Sequence, residues 1–205
     1  MIRRFAPWIA VGVASLVLLA AIALRSAPNT TTGQGNGVSS AVGGPFQLVD
    51  TSGKPVDQSV LQGKWSAVYF GYTYCPDVCP TTLTTLGGAI DRMGARAKDF
   101  QVVFITVDPH RDTPTQLKNY LSSAEFPRGV IGLTGSDAQV AKVAQAYKVY
   151  YQQAGTGAAY TVDHSSAIYL MDPKGQFDTV IPYGLTPDQA KDSIVKAMQD
   201  QSAHG

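Results

Sequence analysis

An α/β domain with a mixed sheet flanked by helices is the fold class that this 205-residue sequence predicts, on three observations. Two apolar runs, WSAVYFGY (65–72) and FQVVFITVD (100–108), have strand length and little polar alternation, so each reads as a strand buried on both faces. Each is followed by apolar residues at helical spacing. Toward the C-terminus the pattern changes to two strand-like runs around PKGQ, an antiparallel hairpin, and then one last helix.

In chain order, residues 1–25 stand apart as a membrane anchor. FAPWIAVGVASLVLLAAIAL (5–24) carries no charge, and at about 1.5 Å per residue it spans roughly 30 Å, one hydrocarbon core. Arg3 and Arg4 precede it and Arg25 follows, so the positive-inside rule puts the N-terminus in the cytoplasm and the rest of the chain outside. A cleaved signal peptide is the alternative, because Ala21-Ile22-Ala23 fits a small-x-small cleavage site; the length of the run favours the anchor. Residues 26–44 turn to Ser, Thr, Gly, Asn and Gln and read as a flexible linker. Residues 45–200 are enough for one domain with its own core, and 201–205 form a polar tail. Taking Arg3, Arg4 and Arg25 from the 16 Lys and Arg leaves 13 against 15 Asp and Glu, a net of −2. No basic patch invites nucleic acid.

Within the domain, PFQLVDTSGKPV reads as a hairpin turning at Ser52-Gly53. After the strand 65–72 and a loop, Pro80 suits a first helical position, with Leu83, Leu86 and Ile90 at helical spacing up to Gly94. The strand 100–108 is followed by a helix with Thr113 as N-cap and Pro114 at N1. GVIGLTG is a short third strand, then a helix capped by Ser136 with Val140, Val143, Ala144 and Tyr147 on one face. SAIYLMD and FDTVIPY make the terminal hairpin, and a helix capped by Thr186 closes the chain. A βαβ half followed by a ββα half, with cysteines at the start of the helix after the first core strand, is a thioredoxin-like topology.

Both cysteines of the chain, Cys75 and Cys79, lie in that loop, YCPDVCPT (74–81). A structural disulfide is the plain reading, yet a bridge between residues four apart closes a very short loop and stabilises little. A helix N-terminus favours the thiolate, which serves redox chemistry and soft-metal binding alike. Three intervening residues make a dedicated dithiol exchanger of the two-residue type a poorer fit. A metal would need a third ligand, and the chain has three histidines. His204 is in the polar tail QSAHG, and His110 in VDPHRDTP reads as a solvated loop residue. His164, in VDHSSAIYL, precedes the strand that opens the terminal hairpin, which in thioredoxin-like folds lies beside the cysteine loop. Two thiolates and one imidazole suit Cu(I) better than structural Zn(II), which prefers four ligands.

YCPDVCP after a Phe-Gly-Tyr strand end, VDPHRDTP after the second core strand, and VDHSSAIYLMDPKG resemble, in order and spacing, the signature stretches of the Sco/SenC proteins. The similarity runs from about Pro45 to Gln199. It implies a membrane-tethered thioredoxin-fold metallochaperone, not an enzyme, that holds one copper ion through Cys75, Cys79 and His164. Such a protein acts on the periplasmic face of the bacterial inner membrane and helps assemble the dinuclear copper site of cytochrome c oxidase. Its partners would be the copper-site subunit of the oxidase, another copper chaperone and a thiol reductant. Tyr74 stands where many members have His, and His110 where an acidic residue is common. Asp77 and Asp163, beside the ligands, read as turn-capping carboxylates, with orientation of the imidazole or tuning of the thiolates as the sharper idea. The rival functions are a thiol-disulfide oxidoreductase using Cys75 and Cys79 as a redox pair to reduce the oxidase cysteines, and a thiol peroxidase, for which FGYTYCPD lacks the expected proline.

Overall fold

The computed structural model of the chain describes residues 42–204. The expected span 5–24 and the linker up to residue 41 lie outside the described residues, among which no helix is long and apolar enough to cross a membrane. Gly43 N–H donates to Ala146 O at 3.0 Å, so the chain is already held to the domain ahead of Pro45.

Among the described residues, nine strands and four α-helices follow in the order β1 (Gln47–Asp50), β2 (Pro55–Asp57), β3 (Trp65–Gly71), α1 (Val78–Asp91), β4 (Phe100–Thr106), α2 (Pro114–Leu121), β5 (Ile131–Thr134), α3 (Asp137–Ala146), β6 (Tyr151–Ala154), β7 (Thr161–His164), β8 (Ile168–Met171), β9 (Phe177–Ile181) and α4 (Pro187–His204). The main sheet has the order β2-β1-β5-β4-β3-β8-β9, and β6 and β7 form a separate two-stranded ribbon. β3 is buried along its whole length and pairs parallel with β4 and antiparallel with β8. That position explains its sequence, since a strand covered on both faces has no side for polar residues. β9, at the sheet edge, alternates between half-buried and exposed positions as far as the buried Ile181. On the helical layers α1 packs against α4, α2 against β5 and α3 against β1.

The predicted hairpins, the buried strands and the caps of the two middle helices are as the residues dictate. Thr113 Oγ1 accepts from the Gln116 amide at 3.2 Å, with Pro114 in the first turn. Ser136 and Gln139 form a reciprocal capping box. Three expectations shift. α1 begins at Val78 behind Asp77 and not at Pro80, so Pro80 is its third residue, where the first turn still needs no amide partner. It ends at Asp91 instead of running to Gly94, which opens a 3-10 turn at a φ of 58°. His164 lies just ahead of β8 as expected, and it also ends β7 of a ribbon that the sequence reading did not contain. The helix α4 continues to His204, through most of the segment read as a tail.

The register makes one end of the sheet chemically useful. Trp65 pairs with Phe100 and Gly71 with Thr106, so β3 and β4 finish level and their loops emerge side by side. Ile168 pairs with Tyr69, so the chain arriving at β8 comes in at that same end. Residues 72–77, 107–113 and 164–167 therefore converge beyond the carboxyl ends of the parallel strands, the usual place for a site in such sheets.

Candidate metal centre

The cysteine loop is fixed before its sulfurs are placed. Asp112, fully buried, accepts from the Thr73 amide at 3.0 Å, the Thr73 hydroxyl at 2.7 Å and the Thr106 hydroxyl at 2.7 Å. Burial raises its carboxyl above the usual range against the pull of these donors. Two residues on, the Cys75 amide donates to Tyr72 O at 3.2 Å, turning the chain toward α1.

Cys75 is half-buried and Cys79, in the first turn of α1, is fully buried; both are free thiols. The Cys79 amide points at Cys75 Sγ, 3.4 Å away, as an unpaired helix N-terminal donor does toward negative charge. Hydrogen bonding from the Cys79 thiol pulls Cys75 far below the ordinary thiol range, working against burial and helped by His164 and the amides of Asp77 and Cys79. Cys79 moves the opposite way, raised by its bond to Cys75 and by burial. The reduced pair thus shares one proton, with the accessible sulfur as thiolate and the buried one as thiol.

His164 reaches Cys79 from the ribbon, its Nε2 lying 3.5 Å from Sγ. Its Nδ1 is 2.9 Å from Ser165 O. A carbonyl only accepts, so Nδ1 donates to it and Nε2 is the nitrogen turned to the sulfurs. Tyr69 and Tyr72 set their rings edge-on against the imidazole, at centroid distances of 6.2 and 5.8 Å. The Tyr69 hydroxyl, kept neutral by burial, donates to Cys79 Sγ at 3.7 Å.

The donor atoms of Cys75, Cys79 and His164 all lie within 4.8 Å of one another, and among the described residues no carboxylate joins them. Bonds of about 2.0–2.3 Å put two donors of one ion about 3.5–4.5 Å apart, so side-chain adjustment alone would seat an ion. Two soft sulfurs and an imidazole without a fourth ligand suit a soft cation; the same two sulfurs suit dithiol chemistry.

The other candidate residues fall outside the cluster. His110 is exposed and pairs with Asp137 at 3.1 Å. Asp77 occupies the N-cap position of α1 without a side-chain cap bond, its carboxylate accepting instead from the Thr81 hydroxyl at 3.2 Å. Asp163 is exposed, and the carbonyl of Ser165 orients the imidazole in its place. Tyr69, Asp112 and Ser165 carry functional contacts that sequence reasoning missed. For Asp112 a signal was there, an acidic residue in the loop after a largely apolar strand; a backbone carbonyl leaves none.

The sequence model of the SCO1/SenC family matches residues 34–199. The chain is 42% identical over 161 residues to the mitochondrial protein SCO1 homolog 1 of Arabidopsis thaliana, covering 78% of this chain and 48% of that one. It is 38% identical over 172 residues to an SCO2-like protein of Rickettsia conorii, covering 82% of each. It spans about half the length of the plant and yeast mitochondrial relatives. Among solved structures, Bradyrhizobium japonicum ScoI with copper bound superposes with a TM-score of 0.69 at 44% identity, covering 77% of this chain and 99% of that one.

Proposed function

This chain belongs to the SCO1/SenC family, and from that premise we propose that it is a copper carrier, holding one Cu(I) ion through Cys75, Cys79 and His164. The observation that carries the reading is the convergence of three donor atoms within 4.8 Å, with Nδ1 turned to the Ser165 carbonyl and Nε2 turned to the sulfurs. Binding would displace the proton that the two thiols share, since both sulfurs ligate as thiolates. The likeness to a ScoI structure with copper bound supports the same cargo.

On this proposal the protein is a binding protein and not an enzyme. The segment 5–24 tethers it to a bacterial cytoplasmic membrane with the domain on the outer face. It takes copper from another chaperone and passes it to the subunit of cytochrome c oxidase that houses the dinuclear copper site. Titration of the reduced protein with Cu(I) tests the reading. One ion per chain is expected, with tight binding lost in Cys75→Ser and in Cys79→Ser and weakened in His164→Ala. Stoichiometric copper retained by the double cysteine variant after dialysis against a chelator would refute it.

A second reading, thiol-disulfide exchange on the oxidase cysteines, is favoured by the asymmetry of the pair. Cys75 is the accessible thiolate that would attack and Cys79 the buried thiol that would resolve. Reduction of a peptide disulfide at an undiminished rate by His164→Ala would favour exchange over carriage.

A further inference from the structure

We infer that Arg111 is a positioning residue that sets the spacing between the cysteine loop and the histidine ribbon. The inference rests on the copper reading above. His164 lies on β7, whose ladder partner is β6, in a sheet separate from the one that carries Cys75. At the β8 end the ribbon is closed by the Tyr150–Ser165 pair, with Ser165 N donating to Tyr150 O at 2.9 Å and Tyr150 N to Ser165 Oγ at 3.0 Å. Toward its other end, beside the buried Val162, Arg111 ties it to the body.

The guanidinium uses its fork in two directions. Nε donates to Asp108 Oδ2 at 2.5 Å, while Nη1 donates to Tyr160 O at 2.9 Å and Ala158 O at 3.5 Å, just ahead of Thr161, where β7 starts. The Tyr160 hydroxyl returns to Asp108 Oδ1 at 2.6 Å, closing a ring of contacts between loop and ribbon. The Tyr160 ring lies 3.5 Å from Arg111 Cζ, and from the cysteine side the rings of Tyr74 and Tyr72 lie at 4.7 and 5.7 Å. Tyr74 precedes Cys75, and Tyr72 is the ring set edge-on to His164. One planar cation, 15% exposed, is therefore wedged between the two halves of the metal centre. Its neighbour Asp112 holds Thr73, so a single turn grips both halves.

Removing the wedge should free the ribbon and cost the imidazole, with the thiols left in place. The test is a double-mutant cycle in the reduced full-length protein, with Cu(I) affinity read by competition against a chromogenic Cu(I) chelator. Arg111→Ala should weaken binding about tenfold, in the range for residues that orient ligands. Arg111→Ala combined with His164→Ala should bind no more weakly than His164→Ala alone, since the shared effect is counted once. In the metal-free protein, Arg111→Ala should speed hydrogen exchange at the ladder amides of Thr161 and Asp163 while leaving β3 protected. Arg111→Lys, which keeps the charge but not the fork, should restore less than the full affinity. Should Arg111→Ala fail to fold, Asp108→Asn, which cuts the same ring, takes its place in the cycle. A loss that adds in full to that of His164→Ala, or wild-type affinity in Arg111→Ala, would overturn the inference alone. Wild-type affinity in His164→Ala would overturn the ligand assignment beneath it.

Discussion

The sulfur of Cys79 occupies the space that a side chain on Gly71 would need: a Cβ built there would lie 2.8 Å from Sγ and 3.0 Å from the Phe104 ring. Gly71 ends β3, and Phe104 is buried on the neighbouring strand β4, so neither neighbour has room to retreat. Gly71→Ala is expected to cost about 1–3 kcal/mol, the usual range for overpacking a core, and to push Sγ away from His164. Thermal melts and Cu(I) competition on the same variant check it. A stable variant with wild-type copper affinity would show that the sulfur can move without loss.

Thiol reactivity should separate the two cysteines. A group whose pKa is depressed stays ionised as pH falls, until pH reaches the lowered value, so Cys75 should alkylate at a nearly constant rate from pH 9 to pH 6. Cys79, raised and buried, should remain unmodified in the folded protein across that range. Cys79→Ala removes the thiol donor that contributes most to the depression, and the rate at Cys75 should then fall more steeply toward low pH. Peptide mass spectrometry after timed quenching reads both sites; equal labelling of the two cysteines would contradict the shared-proton description.

Much of this was legible in the residues because the informative positions are local. A largely apolar strand, a cap three residues before its amide partner and a cysteine pair at a helix start are each readable within about ten residues. The ribbon of β6 and β7 was not. Its residues YQQA and TVDH bury little besides Val162, so no hydrophobic alternation marks them as strands. His164 was legible from its nearness to β8, yet what aims it is the carbonyl of Ser165, and a backbone group has no sequence signature. The stretch VDPHRDTP stood out as a motif, but its exposed His110 drew attention while Arg111 and Asp112 make the contacts. Which member of a charged run turns inward depends on partners such as Thr73 and Tyr160, 39 or more positions away.

Tyr69→Phe should leave the fold nearly intact and alter the metal centre. The hydroxyl's partner is a sulfur at 3.7 Å, a weak acceptor, so the stability loss should stay within about 1 kcal/mol. Donation to a thiolate withdraws charge from it, so its removal should make Cys79 the stronger electron donor. In the Cu(II)-loaded protein the thiolate-to-copper charge-transfer absorption should then shift to longer wavelength. An unshifted band would mean that the hydroxyl does not touch the sulfur once metal is bound.

Oxidation should switch copper binding off. Joining Cys75 and Cys79 removes two electrons and the one proton that the pair shares, passes them to an oxidant such as an exogenous disulfide, and leaves sulfurs with no thiolate to offer. Of the three converging donors only His164 then remains, and a lone imidazole does not hold a soft ion against a chelator. Cys75 is the sulfur an oxidant reaches first, since it is the half-buried thiolate, and Cys79 completes the bridge from the interior. The oxidised protein should therefore elute from a desalting column without stoichiometric copper, and a dithiol reductant should restore one ion per chain. Equal copper content in the two forms would place the metal on other ligands and remove Cys75 and Cys79 from the site.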